Sequence, residues 1–533
     1  MSELQLRVRG AYLELPVSEY VESHTLCFWC EGRLLDDITV RLDYRNPTSY
    51  SYYPISAWTG RGITVSADPD IALEDRQTDT PPRDSRGDVF RPFLHYTPAF
   101  GWVNDPNGLV KYTSPVTGET VWHMFYQHNP YDWIWGNMHW GHAVSRDLLH
   151  WEELPPALSP DDDGTMFSGS AVVDRENRSG LKDGPEDVIL LFYTCAGNTS
   201  VRSKGKPFTQ CLAYSTDGGS TFRKYEKNPI VRHIRADNRD PKVVWCEELG
   251  KYLMALYLDG HEYQLLTSED FLTWKPLQRL KLDRDAECPD IYPIAVDGNP
   301  AKRRWILSGA SHHYLVGTIE KGFFTPVQRP LALSSGKCSY AAQTFSTDDE
   351  SERIQIAWDR ETKYGSAPLS GQMGFPCALS LAEDGDGFFL CAKPVDALDS
   401  LCADERIFHQ AELLPEKPLV VPLEEDACDI ELTYDPDKVE KVFTLTVFGQ
   451  SVTFENALNT VRIGKETLPI RKFRQTPHIR MLIDKGSVEI FTCGGRAMMT
   501  VGWMLNFNQP RAVFSVEQGS AVLSRISIRR LRP

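Results

Sequence analysis

Three carboxylates lie in segments whose composition is unusual for solvated acidic residues. Asp105 stands in Trp-Val-Asn-Asp-Pro-Asn-Gly, Asp240 follows an arginine in Asn-Arg-Asp-Pro, and Glu287 opens Glu-Cys-Pro-Asp-Ile-Tyr. A carboxyl group in such surroundings is a candidate for general acid–base or nucleophilic chemistry, in which it transfers a proton or attacks as the anion. The turn-forming residues around Asp105 are also consistent with a plain turn. The three positions are far apart along the chain, so only the fold could assemble them into one site.

Aromatic and amide side chains are dense in one segment close to the first carboxylate. The stretch FYQHNPYDWIWGNMHWGHA, residues 125–143, holds three tryptophans together with tyrosines, Gln127 and Asn137. Sugar rings present C–H faces that stack on aromatic rings and hydroxyls that pair with amides and carboxylates. We therefore expect Trp135 and Gln127 to bind a carbohydrate, whereas Trp140 and Trp151 fit a structural core equally well.

The pattern of apolar residues predicts an all-β protein. Short alternating runs dominate, as in residues 36–44 and 443–449, and residues 478–491 read as a hairpin that turns at 484–487. A Ser-x-Asp signature recurs after apolar strands at 145–147, 215–217 and 268–270. Repeats at this spacing are typical of a β-propeller, whose inner strands line one central funnel. Such a funnel would bring the three carboxylates together.

Changes in composition suggest three domains. The charged, proline-bearing stretch 68–90 is predicted to be a linker, and a second Asp/Gly/Pro-rich passage lies at 384–418. We expect a small accessory N-terminal β domain at 1–85, a propeller at 86–395 and a C-terminal β domain at 405–533.

Composition narrows the range of partners and locations. The 533-residue chain has a formal net charge of −16, which argues against a nucleic-acid surface. Its twelve cysteines have no regular disulfide spacing, which favours buried reduced thiols. The apolar runs are too short to span a bilayer, and the first twenty residues lack an apolar signal region, so a cytoplasmic protein is predicted. No metal-ligand spacing stands out, and no partner beyond a carbohydrate and a second copy of the chain is indicated.

The motifs taken together resemble those of glycoside hydrolase family 32, the invertases, inulinases and levanases. Six motifs carry the resemblance, in the order RPFLHYTPAFGWVNDPNGL, FYQHNP, HWGHAVSRDLLHW, FSGSAVV, RDPKVVW and ECPDIY. It covers roughly residues 91–380 and continues into the hairpin region 482–500. The resemblance implies a five-bladed propeller followed by a β-sandwich, which leaves the N-terminal β domain outside the family pattern.

The resemblance also implies roles for individual residues in a retaining, two-carboxylate mechanism without metal or organic cofactor. Asp105 would be the nucleophile, Glu287 the general acid/base and Asp240 the stabiliser of the transition state. The subsite for a terminal fructose would be lined by Asn104, Gln127, Trp135, Phe167, Ser168, Arg239 and Tyr340. In a retaining enzyme the two reacting carboxyl groups lie about 5–5.5 Å apart. We expect repulsion from Asp105 and Asp240 to help keep Glu287 protonated.

Several functions remain compatible with these residues. The first is release of terminal β-D-fructofuranosyl units from fructans or fructo-oligosaccharides, with sucrose as a second substrate, because the motifs resemble the levanase and exo-inulinase branch more than the sucrose-phosphate branch. The others are an invertase, a fructosyltransferase, and a non-catalytic propeller that binds fructan. The retained trio of carboxylates argues against the last of these. Linkage preference, exo or endo action, homo-oligomerisation and the role of the N-terminal domain stay open.

Overall fold

The computed structural model describes residues 3–80, 89–349, 352–362, 364–365, 367–424, 427–470 and 476–532. Nearly all regular structure in these ranges is β-strand, as the alternating pattern predicts, and the three helical segments are short 3₁₀ helices at Ser56–Trp58, Asp396–Leu401 and Cys493–Gly495. Among the described residues, no helix has the length and apolar character needed to cross a membrane. All twelve cysteines are free thiols, including Cys27 and Cys30, which are three positions apart in β3, and eight of the twelve are buried.

The N-terminal unit is a small β domain of two sheets around its own apolar core. Its strands are β1 Glu3–Arg7, β2 Tyr12–Val17, β3 His24–Cys30, β4 Arg33–Val40, β5 Ser49–Pro54, β6 Gly62–Asp68 and β7 Gln77–Thr78. One sheet has the order β1-β6-β3-β4 and the other β5-β2-β7. The predicted linker at 68–90 is wrong for its first part, because β7 pairs with β2 and Arg76 forms an ion pair with Glu14. Residues 81–88 of that linker lie outside the described residues.

The central unit is a five-bladed propeller in which each blade begins at the central axis. Blade one comprises β8 Gly101–Thr113, β9 Thr120–Asn129, β10 His139–Ser145 and β11 Glu152–Leu158. Blade two comprises β12 Thr165–Asp174, β13 Val188–Ala196, β14 Thr209–Ser215 and β15 Arg223–Lys224. Blade three comprises β16 Arg239–Cys246, β17 Lys251–Asp259, β18 Glu262–Ser268 and β19 Lys275–Lys281. The fourth comprises β20 Asp290–Val296, β21 Asn299–Ser308, β22 His313–Glu320 and β23 Phe323–Pro326, followed by the short β24 Leu331–Ala332 and β25 Ser334–Ser335. The fifth comprises β26 Ser339–Thr344, β27 Ile354–Asp359, β28 Leu369–Ser370, β29 Gln372–Met373, β30 Cys377–Asp384 and β31 Gly387–Pro394, with β28 pairing across to β8.

The Ser-x-Asp signature marks the same place in three successive blades. Each serine ends the third strand of its blade, at β10, β14 and β18. In each case the serine hydroxyl donates to the aspartate two residues on, over 2.6 to 3.0 Å, and caps the turn that follows. The repeat inferred from sequence is therefore a structural repeat of the blades.

The C-terminal unit is a β-sandwich packed against the propeller. Its strands are β32 Cys402–Leu413, β33 Leu419–Pro422, β34 Cys428–Val439, β35 Val442–Val447, β36 Gln450–Glu455, β37 Thr460–Ile463, β38 Glu466–Pro469, β39 His478–Ile483, β40 Ser487–Thr492, β41 Ala497–Gly502, β42 Arg511–Ser515 and β43 Ala521–Leu531. The sheets run β25-β41-β40-β39-β34-β43-β32 and β33-β42-β35-β36-β37-β38. The predicted hairpin is β39 with β40. One apolar cluster includes residues of both the propeller and the sandwich, which joins the two units.

Candidate active site

Irregularities in the inner strands direct the functional side chains into the funnel. The pairing of β8 with β9 shifts between Asn104 and Pro106, so Asp105 lies in a bulge. Ser168 in β12 and Asp240 in β16 lie in corresponding shifts. A bulge re-aims a side chain that a regular strand would direct elsewhere, and bulges are common beside active sites. Asp240 and Glu287 also have positive φ angles, 64° and 56°, a conformation that strains residues other than glycine.

The three carboxylates line one cavity of about 360 Å³ at the mouth of the funnel. Every residue that the family resemblance assigned to the fructose subsite lines it as well. The complete lining is Asn104, Asp105, Gln127, Trp135, Phe167, Ser168, Phe208, Asp237, Arg239, Asp240, Glu287, Cys288, Tyr340 and Trp358. The fold thus brings together residues from all five blades.

Asp105 lies in the floor of this cavity. The Ser168 hydroxyl donates a hydrogen bond of 2.8 Å to its Oδ2, and the Cys288 thiol contacts the same oxygen at 3.4 Å. Burial raises the pKa of Asp105, the hydrogen bonds from Ser168 and Asn104 oppose that rise, and repulsion from Glu287 adds to it. The carboxylate is oriented by hydrogen bonds and has an elevated proton affinity.

Asp240 is almost completely buried beside it. Its Oδ2 accepts a hydrogen bond of 2.9 Å from the Cys288 backbone N–H, and the Arg239 Nε lies 3.7 Å from the same oxygen. Burial raises the pKa of Asp240 to about 7, the positive charge of Arg239 opposes the rise, and repulsion from Asp105 adds to it. The negative charge of Asp105 thus contributes to the raised pKa of Asp240.

Glu287 is the most accessible of the three, with about 36% of its side chain exposed. Arg239 donates to its Oε1 over 2.7 Å, and the Tyr340 hydroxyl donates to its Oε2 over 2.7 Å. Glu287 therefore has a cation, Arg239, in contact with it as well as the two anionic neighbours, and its protonation stays a prediction. Exposure at the mouth is what a group needs in order to reach a leaving oxygen and then a water molecule.

The rim of the cavity is aromatic. Trp135 is 54% exposed and packs edge-on against Phe167 with ring centroids 5.9 Å apart, and Phe167 packs against Phe208 at 5.5 Å. Deeper in, Gln127 donates to the carbonyl oxygen of Met166 over 2.9 Å, which fixes the orientation of its amide. An apolar edge above a polar floor suits a ring with C–H faces and hydroxyl groups.

Sequence reasoning missed four residues that line the cavity: Cys288, Phe208, Asp237 and Trp358. Cys288 and Asp237 are adjacent or nearly adjacent to assigned residues, which is the signal that could have found them. Phe208 and Trp358 lie in segments without a distinctive motif. Trp140, for which core and binding roles were equally weighted, is a core residue whose indole donates to the Phe167 carbonyl oxygen.

Potential metal ligands cluster away from this cavity in the part of the chain that the structure describes. Among the described residues, the group able to hold a metal ion is His95, Asp359 and Glu489, which lies at the junction with the sandwich and not in the cavity. The cavity itself offers an oriented buried carboxylate, an accessible carboxyl group and hydrogen-bonding partners around them. These are the parts needed to cleave a bond at an acetal carbon.

Comparison with known proteins agrees with this geometry. The family model "Glycosyl hydrolases family 32 N-terminal domain" matches residues 95–392. The chain is 32% identical over 462 residues to a levanase of Bacillus subtilis, covering 77% of this chain and 66% of the relative. It is 38% identical over 301 residues to an invertase of Debaryomyces hansenii, covering 52% and 53%. The chain thus spans between about half and two thirds of the length of these curated relatives.

The fold is also shared with a solved structure. The exo-inulinase of Aspergillus awamori superposes with a TM-score of 0.73 at 22% identity, over 83% of this chain and 98% of that one. At this identity the similarity concerns the fold, a propeller with a β-sandwich.

Proposed function

The chain belongs to glycosyl hydrolase family 32, and we propose that it is a retaining β-fructosidase that releases terminal fructosyl units from fructans or fructo-oligosaccharides and from sucrose. The observation that carries this proposal is the single cavity in which Asp105, Asp240 and Glu287 meet. A binding module could use carboxylates to hold sugar hydroxyls, but it would be free to lose at least one of the three, and all three are retained.

In the proposed first step Asp105 attacks the anomeric carbon of the terminal fructosyl unit. The bond from that carbon to the glycosidic oxygen breaks, and Glu287 gives its proton to the departing oxygen. In the second step Glu287 takes a proton from water, and the water oxygen displaces Asp105 from the anomeric carbon. Two inversions return the original configuration and restore both carboxyl groups.

Asp240 and Arg239 are proposed to hold hydroxyl groups of the same unit. Asp240 is positioned by the Cys288 backbone N–H, so its second oxygen is available to a ligand. Hydrogen bonds to these hydroxyls would tighten as the ring flattens toward an oxocarbenium ion, which lowers the barrier through charge and orientation.

The size of the cavity supports action at chain ends. Pockets that take a small ligand have volumes of roughly 300–1,000 Å³, and this cavity, at about 360 Å³, is near the lower limit. A space of that size with its carboxylates in the floor suits a terminal unit better than the middle of a polymer. An invertase shares every step, so the identity of the preferred leaving group is for experiment to decide.

The test is release of sugar from sucrose, 1-kestose, inulin and levan in parallel, with Asp105→Ala as the inactive variant. We expect fructose as the product from the oligomer and at least one polymer, with retained anomeric configuration at early times in the NMR spectrum, and no product from the variant. Cleavage of sucrose alone would identify an invertase. Larger products would indicate transfer or endo cleavage, and an active Asp105→Ala protein would refute the assigned nucleophile.

A further inference from the structure

A second and larger cavity, of about 760 Å³, lies where the N-terminal domain meets the propeller. One wall is formed by β4 and the 3₁₀ turn Ser56–Trp58 of the N-terminal domain. The other is formed by the segment after Trp135 in blade one and by residues 198–204 in blade two. We refer to this space as the interdomain cleft.

The two walls are held together by polar contacts across the interface. Asn137 accepts a hydrogen bond of 2.8 Å from the Thr39 backbone N–H and donates one of 2.7 Å to its carbonyl oxygen. Arg202 of blade two forms an ion pair of 2.6 Å with Asp36, and Asp37 accepts a hydrogen bond of 2.8 Å from the Val201 backbone N–H. These contacts make the cleft a built feature of the fold.

The interdomain cleft adjoins the cavity that holds the carboxylates. Trp135 lines both spaces, and more than half of its side chain is exposed. For a chain whose terminal unit lies over Asp105, Trp135 is the shared wall across which it would leave the first cavity and reach the cleft. A pathway of this kind is useful only for a ligand longer than the first cavity can hold.

The chemistry of the lining suits an uncharged polyhydroxylated chain. Trp58 offers a second indole face, and neither its N–H nor that of Trp135 has a hydrogen-bond partner among the described residues. Lys204 is exposed in the cleft and has no ion-pair partner within the described part of the chain. The carboxylates of Asp36 and Asp37 are already engaged by Arg202 and by backbone N–H groups. Aromatic faces with free donors between them are how proteins bind sugar units.

We propose that the interdomain cleft is a distal subsite that binds the continuing fructosyl chain of a fructan while its terminal unit occupies the first cavity. The inference rests on the proposed function and adds a role for the N-terminal domain, which lies outside the matched family region. The domain would raise the affinity for long substrates and leave the cleavage of short ones unchanged.

The test compares kcat/KM on sucrose with kcat/KM on inulin and levan for the wild type and three variants of the full chain. Trp58→Ala removes an aromatic face, and Ala57→Trp fills the cleft from an exposed position without removing a contact. Arg61→Trp is the matched control, because Arg61 is exposed close to the same turn but does not line the cleft. Melting temperatures are measured for all variants, since Trp58 also packs on Phe28.

We expect both cleft variants to lower kcat/KM on the preferred polymer by roughly three- to tenfold, the range of one aromatic stacking contact, with less than about a twofold change on sucrose. The control should match the wild type on every substrate. Equal losses on sucrose and polymer, unchanged rates on the polymer, or a wild type that cleaves sucrose but no polymer would each overturn the proposal.

Absence of activity in the wild type would refute the proposed function, and binding measurements would then still test the cleft. If the wild type released fructose from no substrate, inulin and levan would be titrated calorimetrically into the wild type and into Ala57→Trp. Binding that the variant weakens would support the distal subsite in a non-catalytic protein. Equal heats, or none, would overturn it.

Discussion

Glu287 is the accessible carboxyl group of the cavity, and the proposed mechanism requires it to carry a proton in the reactive form. We predict that Glu287→Gln lowers kcat on sucrose by about 10²- to 10⁴-fold, the usual contribution of a general acid. The same variant should lose the alkaline limb of the pH–rate profile, because an amide has no proton to lose.

The acid limb of that profile should stay in place. Asp105, as the proposed nucleophile, reacts only as the anion, so activity falls as the pH falls through its pKa. Below the alkaline limb Glu287 carries the proton that it donates and is uncharged, so the equally uncharged glutamine changes no charge beside Asp105. Profiles of kcat/KM for the wild type and Glu287→Gln measure this, and an acid limb that moves to lower pH in the variant would show an ionised Glu287 in the reactive form and contradict its role as general acid.

Ser168→Ala, in contrast, should move the acid limb. The Ser168 hydroxyl donates to Asp105 and stabilises the anion, so Ser168→Ala is predicted to raise the pKa of Asp105 further and shift the acid limb upward. We also expect kcat/KM at the optimum to fall by about tenfold, the effect of one hydrogen bond to a charged group. Ser170→Ala is the matched control, because the Ser170 hydroxyl bonds to the backbone of β16 and contacts no carboxylate. A shift of the limb in the control as well would show that β12 itself had been disturbed.

At the scale of elements, the loop that carries Trp135 is held by the N-terminal domain. Arg41 forms an ion pair with the fully buried Asp132 and lies over the Trp133 ring at 4.8 Å. We predict that Arg41→Ala destabilises the protein by about 3 kcal/mol, because a buried carboxylate loses its partner. The loosened loop should raise KM for sucrose more than it lowers kcat. Denaturant titration and steady-state kinetics check both parts, with the exposed Arg33→Ala as the control that should change neither.

The junction of propeller and sandwich depends on one histidine. His95 is fully buried, with Nδ1 at 2.8 Å from Asp484 and Nε2 at 3.3 Å from Glu489 of the β39–β40 hairpin region. Burial lowers the pKa of His95, but the hydrogen bonds and charges of the two carboxylates outweigh it and raise the pKa to about 10. His95→Gln should therefore cost about 3 kcal/mol at neutral pH, because it removes the positive charge between two buried carboxylates and leaves them only backbone N–H donors such as those of Leu94 and Phe375.

The sign of the pH dependence follows from the direction of that shift. A histidine whose folded pKa exceeds its unfolded value stabilises the protein fully below about pH 6.5 and loses that contribution as the pH rises through about 10. The difference in unfolding free energy between wild type and His95→Gln should shrink across this window. His150→Gln, at an exposed surface pair, should change stability by less than about 0.5 kcal/mol throughout. A difference that stays constant to pH 10 would show that His95 is neutral in the fold.

Some features of the fold and of this site can be predicted from the sequence, and others cannot. Strand alternation and the Ser-x-Asp repeat predicted an all-β propeller from local patterns, since each blade repeats the same turn chemistry. The bulges at Asp105, Ser168 and Asp240 could not be predicted, because a bulge arises from the pairing of two strands and leaves no sequence signature of its own. Arg239 of blade three contacts Glu287 at the start of blade four, and the interdomain cleft lies between the N-terminal domain and the propeller. Neither feature could be predicted from local sequence, because both depend on tertiary packing.

At the scale of the whole molecule, the distribution of charge predicts that the substrate is a neutral sugar and not an anionic one. The chain carries a formal net charge of −16, and the cavity is lined by the four carboxyl groups of Asp105, Asp237, Asp240 and Glu287 and by one cation, Arg239, which is already paired. An anionic sugar would be repelled on approach, and added salt would speed its capture by screening.

A neutral fructosyl sugar experiences no such force. We therefore predict that kcat/KM on sucrose changes by less than about twofold between roughly 0.05 and 0.5 M NaCl, a range over which the Debye length falls severalfold. Sucrose 6-phosphate provides the comparison, and its kcat/KM should lie below that of sucrose and rise with salt. A preference for the phosphorylated sugar would contradict the assignment to neutral substrates, since it would require a cation in the cavity that Arg239, engaged by Glu287, does not provide.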